Sequence, residues 1–213
     1  MITLKVDPNN PDMQAIRSAA DAIRNGELVI FPTETVYGLA ADATNEAAVK
    51  RVFNAKGRFE KQPLPVQVAS LNEISKAVEF VPESARRLAE LYWPGPLTLI
   101  LTKAAGLPMS VTGGSETVGI RVPDNPVALA LLKEVGTPIV ATSANISGDP
   151  AATNAADAIK GVGEHVSVVL DGGDSRIGVA STVVDVSTTP AKILRRGSIS
   201  TDEIRKVLGE VEE

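Results

Sequence analysis

Residues Glu27–Leu39 read ELVIFPTETVYGL. The apolar run Leu28–Phe31 has the length and the β-branched and aromatic content of a buried strand. Such strands usually leave the core through Gly, Asn or Asp. This one leaves through a proline, two threonines around a glutamate, and a tyrosine. Three hydroxyls and a carboxylate at the mouth of a core strand serve either an unusual turn or a polar ligand, and the rest of the chain must decide which.

Working outward, strand-like and helix-like stretches alternate. Upstream, ITLKV reads as a strand. Asn10 then caps a helix with Pro11 in its first turn, and Met13, Ile16, Ala20 and Ile23 form its apolar face. Downstream, a helix runs from about Asn45 to Ala55 and stops at KGR, and VQVAS is a short strand. Ser70 and Glu73 match a capping box, and a further helix runs from near Pro82 to WPGP. LTLILT and TVGIRV read as strands. Asn125 caps a helix that opens on Pro126 and closes at Gly136. PIVAT runs as a strand into SANISGDP. A helix near Asn154–Lys160, the strands VSVVL, STVVDV and KILR, and a last helix boxed by Ser200 and Glu203 complete the pattern. This is an α/β chain with strands buried on both sides. With no repeat, linker or low-complexity tract, residues 1–213 are expected to form one domain.

Composition narrows the chemistry. Of the 213 residues 44% are hydrophobic, 22% charged and 3% aromatic, so the core must be built from Val, Ile, Leu and Ala. The net charge of −5 argues against nucleic-acid binding by bulk charge and leaves room for a local basic patch. There is no cysteine and the only histidine is His165, which excludes disulfides, thiolate nucleophiles and multi-histidine metal sites. His165 is expected at the surface. The N-terminus has no basic and apolar leader and no run is long enough to span a bilayer, which makes a cytoplasmic protein the expectation.

The polar loops follow strand ends: PTETVYG, KGRFEKQ, TGGSETVGIR, TSANISG, DGGDSRIGVAST and LRRGS. Ligands in α/β sheets favour crevices beside strand ends, and six such loops holding arginines and hydroxyls are more than turn chemistry requires. In KGR, Gly57 can end a helix while Lys56 and Arg58 either complement its dipole or hold an anion. Lys50, Arg51, Lys56, Arg58 and Lys61 concentrate positive charge, as a phosphate site or a solvated helix face would. Arg121 interrupts an apolar strand, so it must face solvent or meet an anion. Ser143, Asn145 and Ser147 in TSANISG, with the backbone amides there, can form a nest for an anion. Neither GxxxxGK[ST] nor GxGxxG after a strand is present, so a nucleotide site here is of neither standard type.

Taken in order, FPTETVYGLAADA, VFNAKGR, WPGPLTLIL, TVGIRVPDNP, PIVATSANISG and LDGG…GVASTVVDV…ILRRGSI resemble the motifs of the YrdC/Sua5 family, over about residues 12–199. The resemblance implies a single-domain twisted mixed sheet flanked by helices, similar to dihydroxybutanone-phosphate synthase, around a concave basic cavity. The chain looks like the YrdC domain without the C-terminal domain of longer Sua5 proteins. The implied activity is a nucleotidyltransferase one. L-threonine, bicarbonate or CO2, and ATP with Mg2+ give L-threonylcarbamoyl-adenylate and pyrophosphate. A downstream threonylcarbamoyl-transferase machinery then modifies an adenosine of tRNA, itself a candidate partner. Carried over by motif, Lys56 and Arg58 are catalytic. Thr35, Gln67, Arg121, Ser181 and the backbone at Ala141 bind threonine. Arg58, Gln62, Thr117, Ser143, Asn145, Arg195 and the backbone at Ala151 bind ATP. No metal ligands are assigned. Gln67 stands where Sua5 proteins usually have histidine, and Ala151 where a serine is common. Two rivals are an RNA-binding or ribosome-associated factor, and another carbamoyl-adenylate-forming enzyme such as the YrdC-like domain of hydrogenase maturation proteins. On the threonine reading the hydroxyl-rich exit of the first core strand makes sense. A small, doubly charged amino acid with its own hydroxyl needs short, directional partners.

Overall fold

Apolar runs become strands and amphipathic runs become helices in this order: β1 (Ile2–Lys5), α1 (Met13–Arg24), β2 (Val29–Phe31), β3 (Gly38–Asp42), α2 (Glu46–Lys56), β4 (Val66–Gln67), α3 (Glu83–Tyr92), β5 (Leu97–Thr102), α4 (Met109–Thr112), β6 (Thr117–Arg121), α5 (Pro126–Val135), β7 (Ile139–Ser143), α6 (Ala155–Val162), β8 (Val168–Asp171), β9 (Thr182–Asp185), β10 (Ala191–Arg195), α7 (Thr201–Leu208) and β11 (Val211–Glu212). The structure, a computed structural model, describes residues 1–59 and 61–213. Glu60, in the expected KGRFEKQ loop, lies outside the described residues.

Among the described residues all the strands join one mixed sheet in the order β1-β8-β2-β3-β7-β4-β6-β5-β9-β10-β11. The pairs are parallel at β1·β8, β2·β8, β4·β6, β5·β9 and β10·β11 and antiparallel at β2·β3, β3·β7, β4·β7, β5·β6 and β9·β10. The sheet separates two cores. On one side α1 and α5 bury Ile16, Ile23, Leu131 and Leu132 against Phe31, Ala40 and Ile139. In the other core, α2, α3, α6 and α7 supply Val52, Phe53, Leu88, Ala158 and Ile204 around Ile30, Leu39 and Leu99. Alternation along β2 feeds both, as a period of two requires.

Several expectations need correction. Asp12, not Asn10, caps α1, accepting the Gln14 N–H at 2.8 Å, while Asn9 and Asn10 donate to Asp7 in a preceding turn. The strand read from VQVAS contracts to Val66–Gln67. Ser70 and Glu73 form no capping box. Leu71–Lys76 is a 3-10 segment, Ser70 makes no side-chain cap, and Glu73 instead pairs with Lys76 at 2.7 Å. The box at Ser200 and Glu203 does form. Strands β3 and β11 and the short helix α4 were not anticipated, because GLAAD carries small residues without a β signature and the other two are only a few residues long.

Candidate active site

Every residue from Phe31 to Ala40 is buried, so the polar stretch leaves the strand without leaving the protein. Its groups must then find partners inside. Thr33 Oγ1 donates to Val36 O at 2.6 Å, accepts the Thr35 and Val36 N–H groups at 3.3 Å, and lies 2.9 Å from Thr35 Oγ1. With its one proton committed to Val36, Thr33 accepts from Thr35, which leaves Thr35 Oγ1 as an acceptor towards the cavity. Tyr37 donates to Gly173 O at 2.7 Å and accepts the Gly172 N–H at 3.1 Å, and burial pushes its phenol up to about 12. Ile177 and Gly178 donate N–H groups to Glu34 O and Thr35 O at 2.8 and 2.9 Å. The DGGDSRIG loop is thereby strapped to the threonine loop.

This loop forms one wall of a cavity of about 370 Å³, inside the size range of small-molecule sites. The rest of the lining includes Gln67 on β4, Thr98 on β5, Arg121 on β6, Ala141–Ser143 on β7, Ser181 before β9 and Arg195 at the end of β10, with Arg58 and Ala151. Sheet pairing sets the spacing: Gln67 is in register with Arg121, and Gly38 with Ser143.

Three guanidinium groups face this space, each fixed by the chain. Arg121 is buried. Its Nε donates to Gly95 O at 3.1 Å and its Nη2 lies 2.7 Å from Oε1 of Glu34. The anion it meets inside the protein is therefore Glu34, which sequence reading passed over as a partner. Arg195 donates from Nε to Ser181 O and from Nη2 to Ser181 Oγ, both at 3.0 Å, and Ser181 Oγ is 2.8 Å from Thr98 Oγ1. Burial lowers the pKa of Arg195, and the nearby Arg121 charge adds to the effect. Arg58 donates to Pro63 O at 2.9 Å and is also lowered by burial.

Lys56 is not a solvated capping cation. It is 2% exposed, and its Nζ donates to Ser143 O at 2.5 Å and Asn145 O at 2.6 Å, tying the end of α2 to the TSANISG turn. Burial, reinforced by the Arg58 charge, brings its ammonium down to about 8. Gly57 ends α2 with a φ of 58°, a left-handed conformation that suits glycine. Asn145 shapes the turn by donating to Ile146 O and Asp149 O, both at 2.8 Å. Of the residues singled out from sequence, Thr35, Arg58, Gln67, Arg121, Ala141, Ser143, Ala151, Ser181 and Arg195 line the cavity. Lys56, Gln62, Thr117 and Asn145 do not. Gln62 is exposed, and Thr117 pairs with Ser115 at the start of β6. Lys50, Arg51 and Lys61 are exposed, with Arg51 bonded to Gly26 O, so the basic residues of this segment form no single anion site. His165 is exposed.

Sequence reading missed Thr98, although period-two patterning along LTLILT could have placed it on one face. It also missed the roles of Thr33, Glu34 and Tyr37 inside the stretch it singled out. Among the described residues no cluster of three His, Cys, Asp or Glu could hold a metal, and the buried carboxylate beside the cavity is already engaged by Arg121. Among the described residues there is thus no all-protein cage for a magnesium ion. Among the described residues no helix is long and apolar enough to cross a membrane.

A family model for Sua5, YciO and YrdC proteins, described as "Telomere recombination", matches residues 21–197. The chain belongs to the Sua5/YciO/YrdC family. Within it, the chain is 47% identical to a threonylcarbamoyl-AMP synthase of Pyrococcus abyssi, over 92% of this chain and 58% of that protein. It is 43% identical to a threonylcarbamoyl-AMP synthase of Bacillus subtilis, over 99% of this chain and 60% of that protein. A crystal structure of P. abyssi Sua5 complexed with L-threonine superposes with a TM-score of 0.96 at 44% identity, covering 100% of this chain and 62% of the other. The chain thus spans about three fifths of the length of these Sua5/YciO/YrdC relatives.

Proposed function

We propose that this chain condenses L-threonine, bicarbonate or CO2, and ATP into L-threonylcarbamoyl-adenylate and pyrophosphate, as a nucleotidyltransferase. The observation that carries the reading is the cavity itself. It holds three anchored guanidinium groups and a set of directional hydroxyls, and it lies in a chain closely similar to named threonylcarbamoyl-AMP synthases and to a threonine-bound relative. On this reading Arg121 takes the threonine carboxylate, with Gln67, Ser181 and the Ala141 backbone beside it. Thr35, presenting an acceptor, suits the ammonium or hydroxyl of the same molecule. Arg58, Arg195, Ser143 and the Ala151 backbone hold ATP.

The threonine ammonium loses a proton and its nitrogen bonds the carbon of CO2, losing a second proton, or that of bicarbonate, whose hydroxyl leaves as water with the second proton; the resulting carbamate oxygen attacks the α-phosphorus. The bond to the bridging oxygen of the β-phosphate breaks, and pyrophosphate leaves with the electron pair. No protein nucleophile is needed, which agrees with a chain lacking cysteine and with its only histidine at the surface. Catalysis rests on positioning and on cations around the phosphates. Lys56 has two of its three N–H donors held by carbonyls; we assign it to fixing the Ser143–Asn145 turn against α2 and to the field at the phosphates. Mg2+ would enter on the nucleotide as part of the substrate. Gln62, Thr117 and Asn145 lie outside the cavity wall, and an ATP role for them requires the nucleotide to extend past it. Transfer of the threonylcarbamoyl group to tRNA by downstream machinery belongs to the same proposal. The test is incubation with MgATP, threonine and bicarbonate. Pyrophosphate and the adenylate, identified by mass spectrometry, are expected in a threonine-dependent yield, and ADP formation without them would overturn the reading.

A further inference from the structure

The chemistry above gives Glu34 no part, yet it is the only buried carboxylate among the described residues. Its side chain is 1% exposed and neither Oε makes a hydrogen bond. What it has is charge contact: Oε1 sits 2.7 Å from Nη2 of Arg121, out of hydrogen-bond alignment. Burying a carboxylate against a cation is a poor route to stability, because apolar residues of the same volume often serve as well or better. An ion pair kept at the wall of a cavity therefore calls for a role in the cavity.

The guanidinium of Arg121 shows what that role can be. The Nε–H and Nη2 edge is turned to the protein, with Gly95 O on Nε and Glu34 on Nη2. Among the described residues Nη1 has no hydrogen-bond partner, and the residue lines the cavity. One edge is thus held and the other presented. Charge balance points the same way. Arg58, Arg121 and Arg195 all line this space, and Arg121 is near enough to Arg195 to disfavour a second charge there. Among the described residues Glu34, behind the wall, is the one carboxylate paired with Arg121 to hold it against that repulsion.

We propose that Glu34 is a positioning residue. It locks Arg121 so that Nη1 is presented to the carboxylate of the amino-acid substrate, and it does not touch the substrate itself. The inference rests on the threonine reading of the cavity.

The test is steady-state pyrophosphate release by Glu34→Gln, Arg121→Lys and the double variant, with threonine and ATP varied separately and thermal unfolding followed in parallel. Glu34→Gln keeps the shape and removes the charge. Its threonine KM should rise about tenfold or more, the size of a lost charge-assisted contact, while the ATP KM and the cooperative unfolding transition stay near wild type. Because Glu34 acts through Arg121, the double variant should need no more threonine than the worse single one. An unchanged threonine KM in folded Glu34→Gln, equal rises in both KM values, or additive effects in the double variant would overturn the positioning role. Should Glu34→Gln not fold, Glu34→Asp keeps the charge but withdraws it by one methylene. A selective rise in threonine KM is again expected, and none, or an equal rise for ATP, overturns it. Wild-type protein that releases no pyrophosphate in response to threonine would sink the site reading, a result separate from a failure of Glu34 alone.

Discussion

At the scale of single residues, the site is a set of cations held by main-chain carbonyls. Arg121 is bonded to Gly95 O, Arg195 to Ser181 O, Arg58 to Pro63 O, and Lys56 to Ser143 O and Asn145 O. A lysine cannot reproduce a planar fork held at two points, so Arg121→Lys should keep charge and fold but raise the threonine KM at least several-fold. Calorimetric ATP binding without threonine should change little; loss of ATP binding alone would reassign Arg121 to a phosphate. Lys56 carries a pH signature. Its folded pKa is about 8 against an ordinary 10.5. Below 8 both folded and unfolded chains hold the proton. Between 8 and 10.5 the unfolded chain binds a proton that the folded chain does not, so this residue adds stability as pH rises through that window. Urea unfolding of wild type and Lys56→Met at a series of pH values should show the difference moving in favour of wild type by up to about 3 kcal/mol. A flat difference would return the ammonium to its ordinary range.

At the scale of elements, close backbone approaches and caps matter as much as side chains. A Cβ on Gly197 would lie 2.4 Å from Ala180 O and 2.4 Å from Thr182 N, against main chain that carries Ser181. Gly197→Ala should therefore cost about 1–3 kcal/mol or more in urea unfolding and impair the hold of Arg195 on Ser181, where a surface glycine would be nearly neutral. Asn125 accepts the Val127 and Ala128 N–H groups at 3.0 and 3.1 Å at the start of α5, and Asn125→Ala should cost about 1 kcal/mol with threonine and ATP use unchanged. Elements of this kind are legible from sequence because their signals are local: Asn125-Pro126 and Gly136 bracket α5, and Ser200-x-x-Glu203 boxes α7. The misses are just as physical. Asp12 and Asn10 are equally good cap residues, and only the turn around Asp7 decides between them. Ser70 and Glu73 spell a box, but in the 3-10 segment the Glu73 N–H goes to Ser70 O at 3.1 Å and not to the Ser70 hydroxyl. In the site, most residues carried over by motif do line the cavity, while other parts of the wall, Thr98, Ile100 and Gly119 among them, were not named. The pairing of Glu34 with Arg121 and of Thr98 with Ser181 joins strands far apart in sequence, and no local pattern encodes which partner a sheet will bring.

At the scale of the whole molecule, the cavity exists only because distant strands share one sheet. Its wall draws on the loop before β3, on β4, β5, β6 and β7, and on the ends near β9 and β10, so a ligand that spans it joins elements from both ends of the chain. Such a ligand binds the folded state and not the unfolded one, and its binding free energy appears as stability. If one site takes both substrates, threonine with a non-hydrolysable ATP analogue should raise the melting temperature more than the sum of each alone. At a concentration about a hundredfold above its Kd, either ligand alone should add about 2.7 kcal/mol. Serine lacks only a methyl group, which a pocket of this kind distinguishes by about 1–3 kcal/mol, so serine should shift the melting curve less than threonine at equal concentration and support slower pyrophosphate release. Glycine should do less still. Two results would contradict a single threonine-and-nucleotide cavity: strictly additive shifts, which would separate the sites, and equal shifts from serine and threonine, which would leave the methyl group unread by Thr35 and its neighbours.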